Sequence, residues 1–105
     1  YYKAGKPKQT WATFDAWIEA APGKAGRYNA VAWFSFKNKF DMRRGLKYGE
    51  SGLRIDSKAA YLWDTVAELH FVMGDKKAAI TSIKKAMAIA PSDGYYKEQL
   101  ARFSK

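Results

Sequence analysis

The chain has 105 residues, of which 48% are apolar and 28% charged, and it contains no cysteine. This composition fits one globular domain and excludes disulfides, thiol catalysis and thiolate metal sites. Its 19 basic and 10 acidic residues give a net charge of +9, which favours attraction to anions, and no apolar run approaches the roughly 18 to 20 residues that cross a bilayer.

Apolar residues recur at helical spacing along the chain, whereas the alternating β-branched runs typical of strands are absent. Thr10 and Asp41 are placed to cap helices, and Gly74 and the turn sequences PGKAG and PSDG end them. The sequence therefore predicts an all-α fold of about six helices, joined by short connections into antiparallel pairs. The predicted helices cover residues 10–21, 27–38, 42–55, 59–73, 76–89 and 95–103.

A shift of the sequence by 34 residues superimposes its small residues. Gly45 then falls on Ala79. Seven residues later, Gly52 falls on Ala86. Because glycine within a helix costs up to about 1 kcal/mol relative to alanine, we expect these positions to lie where neighbouring helices cross closely. The period indicates a repeated helix pair, whose two helices we call helix A and helix B.

The unit over residues 60–93 has an aromatic residue early in helix A, an apolar–small pair three residues later, a turn glycine, two alanines seven apart in helix B and a closing proline. In these features it resembles the tetratricopeptide repeat (TPR). The matching residues are Trp63, Val66, Ala67, Gly74, Ala79, Ala86 and Pro91.

The unit over residues 26–59 departs from this pattern and is a degenerate repeat. Its non-matching residues are Asn29, Trp33, Phe40 and Ser57. The resemblance implies an α-α superhelix of antiparallel helix pairs, flanked by an N-terminal helix over residues 10–21 and a capping helix over residues 94–104. These two helices are expected to cover the exposed ends of the short array, since about three repeats are usually needed for stability.

Several segments also resemble the helical repeat tail of certain bacterial thioredoxin-fold proteins. They are NAVAWF, GLKYGESGLRIDSKAAYLWDTVAELHFVMGDKKAAI and YYKEQLARF. The resemblance implies that a redox centre lies outside this chain, which fits the missing cysteines and the start at Tyr1 without an initiator Met. It is compatible with either a periplasmic or a cytoplasmic location.

In TPR proteins one face of each helix A lines an inner groove, and here that groove is expected to bind a peptide or a partner domain. Asp64 and Glu68 share this face because they lie four residues apart on one helix. We interpret them as a solvated face beside nearby lysines, the alternative being an acidic strip that contacts a basic or amide-rich partner. The predicted partner-binding residues are Phe34, Lys37, Tyr61, Asp64, Glu68, Phe71, Tyr95 and Arg102.

No catalytic, cofactor or metal site is predicted. His70 is the sole histidine, and no Ser or carboxylate stands at a spacing that identifies a catalytic partner, so we interpret it as a core or groove-wall residue. We interpret the four tryptophans, at positions 11, 17, 33 and 63, as core residues rather than platforms for sugar binding.

The helix B residues include a set of cations that we call the basic face and interpret as a solvated outer surface. The basic face consists of Arg43, Arg44, Lys47, Arg54, Lys76, Lys77, Lys84 and Lys85.

The sequence predicts a non-enzymatic interaction module that binds a peptide, a partner protein or another domain of the parent chain through helix A. Two alternatives stay open. One is a basic surface for nucleic acid or acidic membrane lipid, although no motif that reads RNA or DNA is present and nucleic acid is the less favoured partner. The other is a structural appendage that braces a larger protein or forms a homo-oligomer.

Overall fold

The computed structural model describes residues 7–105, and within them the backbone forms six α-helices and no strand. The all-α prediction is therefore confirmed. In the part of the chain that is described, no helix is both long and apolar enough to cross a membrane. The helices are α1 Pro7–Glu19, α2 Ala25–Asn38, α3 Met42–Ile55, α4 Ala60–Val72, α5 Lys76–Ile89 and α6 Gly94–Ser104.

The helix boundaries follow local capping chemistry. The side chains of Asp41, Asp75 and Asp93 each accept a hydrogen bond from a backbone N–H in the first turn of the helix that follows. Such an N-cap stabilises a helix by about 1 kcal/mol. Gly74, with φ of +91°, ends the turn after α4 in a conformation that favours glycine. The prediction for Thr10 is wrong: it lies inside α1 and is buried, because the helix begins at Pro7.

The helices pack in sequential order. Helix α2 packs against α3, and α4 packs against α5, as two helical hairpins. The hairpins meet through contacts of α4 with both α2 and α3. Helix α1 lies against α2 at one end, and α6 lies against α5 at the other. The buried apolar residues accordingly form three clusters, one between α1 and α2, one around α2, α3 and α4, and one among α4, α5 and α6.

Three buried glycines bring α3 close to its neighbours. A Cβ atom at Gly45 would overlap the side chain of Ser35 on α2. A Cβ at Gly49 would lie 2.8 Å from Cγ2 of Val66, and one at Gly52 would lie 2.8 Å from a side-chain carbon of α4. The expected close approach at positions 45 and 52 is therefore confirmed, and Gly49 adds a third point of contact.

Helix α5 uses alanine at the equivalent places. Ala79 and Ala86 are fully buried, and so is Ile83, which stands 34 residues after Gly49. In the first pair, the position equivalent to Ile83 is filled from outside the pair, by Val66 of α4. Both helix pairs therefore have small residues seven positions apart in their second helix. The position between these small residues is filled by Val66 of α4 in the first pair and by Ile83 itself in the second.

Candidate partner-binding site

Helix α6 covers the two carboxylates that the sequence places on one face of α4. Asp64 and Glu68 on α4 are 8% and 6% exposed. The side-chain nitrogen of Gln99 on α6 donates hydrogen bonds to Asp64 Oδ1 at 3.0 Å and to Glu68 Oε2 at 2.9 Å. Nε of Arg102 donates to Gln99 Oε1 at 3.1 Å, and its guanidinium pairs with Glu68. The interpretation of both carboxylates as a solvated face is wrong, because α6 covers them.

This buried network carries more negative than positive charge. Burial raises the pKa of the Asp64 carboxyl, the hydrogen bond from Gln99 opposes this shift, and the neighbouring charge of Glu68 adds to it. Burial also raises the pKa of the Tyr95 hydroxyl, and the charge of Asp64 adds to that shift. The two carboxylates thus accept their side-chain hydrogen bonds from one amide group and one guanidinium, both of which belong to α6.

The two predicted phenylalanines pack against the end helices. The ring of Phe34 meets the ring of Phe14 on α1 edge-on, with centroids 5.1 Å apart, and lies 6.1 Å from that of Phe40. The ring of Phe71 lies 4.8 Å from the ring of Phe103 on α6. Both are half-buried. These contacts show that Phe34 and Phe71 are packing residues at the two ends of the molecule.

Four predicted residues remain exposed to solvent, namely Lys37, Tyr61, Tyr95 and Arg102, although Arg102 also pairs with Glu68. Tyr61 and Tyr95 occupy the same position in successive units and are almost equally exposed, at 45% and 46%. Of these two tyrosines, Tyr61 lines a cleft, whereas Tyr95 packs edge-on against Tyr96.

The cleft beside Tyr61 has a volume of about 630 Å³ and lies where α1 ends, α2 begins, α3 ends and α4 begins. We call it the Trp17 cleft. Its apolar walls are Trp17, Ile55 and Tyr61, of which Trp17 is 41% and Ile55 42% exposed. Its rim is formed by residues 23–26, Arg27 and Asp56.

The contacts of Arg27 join two helices at the cleft. The Arg27 guanidinium donates a hydrogen bond to the backbone carbonyl of Trp17 at 2.6 Å and lies 5.0 Å from the centroid of the indole ring. This contact ties the last turn of α1 to the first turn of α2 and orients the Trp17 ring. Gly23 and Gly26 place no side chain on the rim, and no atom would lie within 4 Å of a Cβ at either position.

The interpretation of all four tryptophans as core residues is only partly right. Trp11 is buried and Trp63 is half-buried against the core, but Trp17 and Trp33 are exposed. The ring of Trp33 packs against that of Phe36 on the same helix, with centroids 5.1 Å apart. The sequence interpretation also missed Ile55. The 34-residue shift aligns Ile55 with Ile89, and both residues end a helix and are exposed, but their exposure becomes visible only in the structure.

His70 lines a different surface. It is half-buried on α4 and faces a crevice bounded by residues of α3 and α5, on the side of the basic helices. Among residues 7–105, no group of three or more His, Asp or Glu side chains is arranged to hold a metal ion. No protein-family model matches the chain, and no curated protein sequence is significantly similar to it.

Proposed function

We propose that this chain is a non-catalytic interaction module of the TPR type that binds an extended peptide segment of a partner protein in the Trp17 cleft. The observation that carries the proposal is the grouping of three large, exposed apolar side chains, Trp17, Ile55 and Tyr61, in one cleft. Exposed apolar patches with a polar rim mark interaction sites, and aromatic residues are the usual energetic centres of such sites.

The order of helix packing supports the TPR-like part of the proposal. Each helix packs against its successor, and the two helices A, α2 and α4, also touch. Stacked antiparallel pairs produce this order of contacts. The close approach of α3 at Gly45 and Gly52, and the full burial of Ala79 and Ala86, fit the same arrangement.

The chemistry of the cleft indicates what kind of segment fits. An apolar side chain of the peptide contacts Trp17, Ile55 and Tyr61, because burial of apolar surface contributes about 25 cal/mol per Å². Lys24 and Arg27 on the rim favour a peptide with an acidic residue next to that apolar anchor, while Asp56 accepts peptide N–H groups. The α4 surface beyond Tyr61 is not available in this arrangement, since α6 occupies it.

A peptide library tests the proposal. Peptides selected from a random library on the immobilised 105-residue chain are measured by calorimetry against the parent chain and three variants. We expect Trp17→Ala and Tyr61→Ala each to weaken binding about 30-fold, which corresponds to a hot-spot loss of about 2 kcal/mol.

Tyr95→Ala is the matched control, because this tyrosine has the same position in the next unit and the same exposure. We expect it to change affinity less than about twofold. Equal losses for Tyr61→Ala and Tyr95→Ala, or unchanged binding by both cleft variants, would contradict the proposal.

A further inference from the structure

The charge of the molecule is segregated between its two kinds of helix. Helices α3 and α5 together carry the eight cations of the basic face and a single acidic residue, Glu50. Helices α2 and α4 together carry two cations and two carboxylates. The excess positive charge of the described chain is thus concentrated on α3 and α5 and is not spread evenly over the surface.

Most cations of the basic face are available to a ligand. The ion pairs found within residues 7–105 join Arg44 to Asp15 and Arg102 to Glu68. Apart from Arg44, the members of the basic face form no ion pair with an Asp or Glu side chain among the described residues. Nζ of Lys76 donates a hydrogen bond to the main-chain oxygen of Lys105, and the remaining members are free of such contacts with carboxylates. Such uncompensated cations attract an anionic polymer and release its counterions on contact.

A recess lies between the two basic helices. It is a crevice of about 430 Å³ whose floor comes from α4, with Arg54 of α3 on one side and Ser82 of α5 on the other. Trp63 and His70 form part of the floor. Nζ of Lys85 on α5 lies 5.3 Å from the centroid of the Trp63 ring, which places a second cation beside the recess. The lining also includes one carboxylate, Glu50 of α3.

We infer that the basic face binds the phosphate backbone of single-stranded nucleic acid, with Arg54 and Lys85 contacting phosphates across the crevice and Trp63 offering an aromatic surface to a base. A cationic groove with an aromatic side chain is the usual arrangement for sequence-independent binding of single strands. This function goes beyond peptide binding, since it uses a surface separate from the Trp17 cleft.

A lipid headgroup carries the same phosphate chemistry, but the surface favours a strand. Peripheral membrane helices insert large apolar side chains below the headgroups. Helices α3 and α5 each expose one large apolar side chain, Ile55 and Ile89. Each is the last residue of its helix, and neither lines the crevice. A recess between two helices also suits a protruding phosphate or base better than a flat bilayer.

Fluorescence anisotropy with a labelled oligouridylate of about 20 nucleotides tests this inference on the 105-residue chain. If about four phosphates are contacted, the affinity falls roughly 50-fold between about 50 and 200 mM salt, because each contact adds about 0.7 to the slope for a single strand. We expect the double variant Arg54→Glu/Lys85→Glu to weaken binding at least about tenfold.

The double variant Lys37→Glu/Lys97→Glu is the matched control, since it makes the same change in net charge at exposed positions on α2 and α6. We expect it to weaken binding less than about threefold. A neutral Arg54→Gln/Lys85→Gln variant shows whether weaker binding comes from the loss of phosphate contacts or from unfolding. Circular dichroism verifies that this variant keeps its helical content.

Three results would overturn the inference. They are undetectable binding at low salt, equal losses for both charge-reversed variants, and binding to vesicles that contain phosphatidylserine without binding to the oligonucleotide. Because the peptide test uses different residues, either proposal can fail while the other stands.

Discussion

The two ends of the molecule are covered in different ways. Helix α6 closes α4 with a buried network in which Gln99 bonds both Asp64 and Glu68, and with the fully buried ring of Phe103. Helix α1 covers the other end with stacked rings and leaves the Trp17 cleft open beside it. The two end helices therefore differ in what they cover: α6 buries the carboxylates of α4, whereas α1 leaves the Trp17 ring exposed beside a cleft.

The physical reason lies in the contacts that each end helix makes. At the α6 end, both N–H groups of one amide are used, so the helix is held in a defined orientation. At the α1 end, Trp11 stacks on Phe40 at 5.3 Å and on Tyr48 at 5.5 Å, and its indole Nε1 is buried without a hydrogen-bond partner in the described structure. Helix α1 is also held by polar contacts, because its Asp15 accepts hydrogen bonds from Tyr48 and Arg44 of α3. The two ends therefore differ in what they leave exposed, which at the α1 end is the ring of Trp17.

The largest expected difference between the ends is in stability. Phe103→Ala removes a fully buried ring from the α6 end and should lower the free energy of unfolding by about 3–5 kcal/mol. Trp17→Ala removes an exposed ring and should lower it by less than about 1 kcal/mol. Urea denaturation of both variants measures the two losses, and similar values would contradict the contrast between a closed and an open end.

The network itself can be broken at its centre. Gln99→Ala leaves two buried carboxylates without their shared donor and should destabilise the fold by about 2–3 kcal/mol. The exposed neighbour Glu98→Ala serves as control and should change stability by less than about 0.5 kcal/mol. If thermal unfolding shows equal effects for both variants, the network does not hold α6 in place.

Two glycines of the first helix pair are expected to differ in their tolerance of a methyl group. Gly45→Ala gives the first pair the residue that the second pair has at Ala79, yet its Cβ would overlap Ser35. Overpacking of this kind costs about 1–3 kcal/mol and should outweigh the gain in helix propensity. In Gly26→Ala the new methyl group meets nothing within 4 Å, so this variant should keep or slightly raise stability. Chemical denaturation that shows a stabilised Gly45→Ala variant would contradict the close approach.

The smallest expected effect is on the pH dependence of stability. Burial raises the folded-state pKa of Asp64 above its ordinary value of 3.8, so the folded state holds this proton more tightly than the unfolded state. The parent chain therefore loses stability as the pH rises from about 3.8 through the raised pKa, and Asp64→Asn lacks this loss.

The stability of Asp64→Asn relative to the parent chain should accordingly be higher at pH 7 than at pH 4. Its amide oxygen can still accept the hydrogen bond from Gln99. Denaturation curves at both pH values measure the difference, with Glu98→Gln as a surface control. A relative stability that falls as the pH rises would show that the carboxylate of Asp64 is favoured in the folded state.

The sequence predicts the helices of this fold better than its surfaces. Helices α3 and α5 begin and end as expected, because the caps Asp41 and Asp75 act locally. The burial of Asp64 and Glu68 could not be predicted in this way, since it depends on where α6 docks, and the partner Gln99 lies more than 30 residues away with no local signal of its role.

The Trp17 cleft was equally hard to predict. Trp17 lies at the end of a helix and Ile55 at the end of another, and helical periodicity does not determine how far a terminal residue is covered by the turns around it. Tyr61, in contrast, is among the residues named from the 34-residue period, and it lines the cleft.

The most direct test of the central claim uses the indole N–H groups as reporters in a two-dimensional ¹H–¹⁵N spectrum. Trp17 reports on the cleft, Trp33 on an exposed part of α2, Trp63 on the crevice between the basic helices, and Trp11 on the core. On addition of a library-selected peptide, we predict a shift of the Trp17 signal while the other three stay unchanged. A shift of Trp33 or of the Gln99 side-chain amide without one at Trp17 would contradict the account, because the peptide would then bind elsewhere or displace α6.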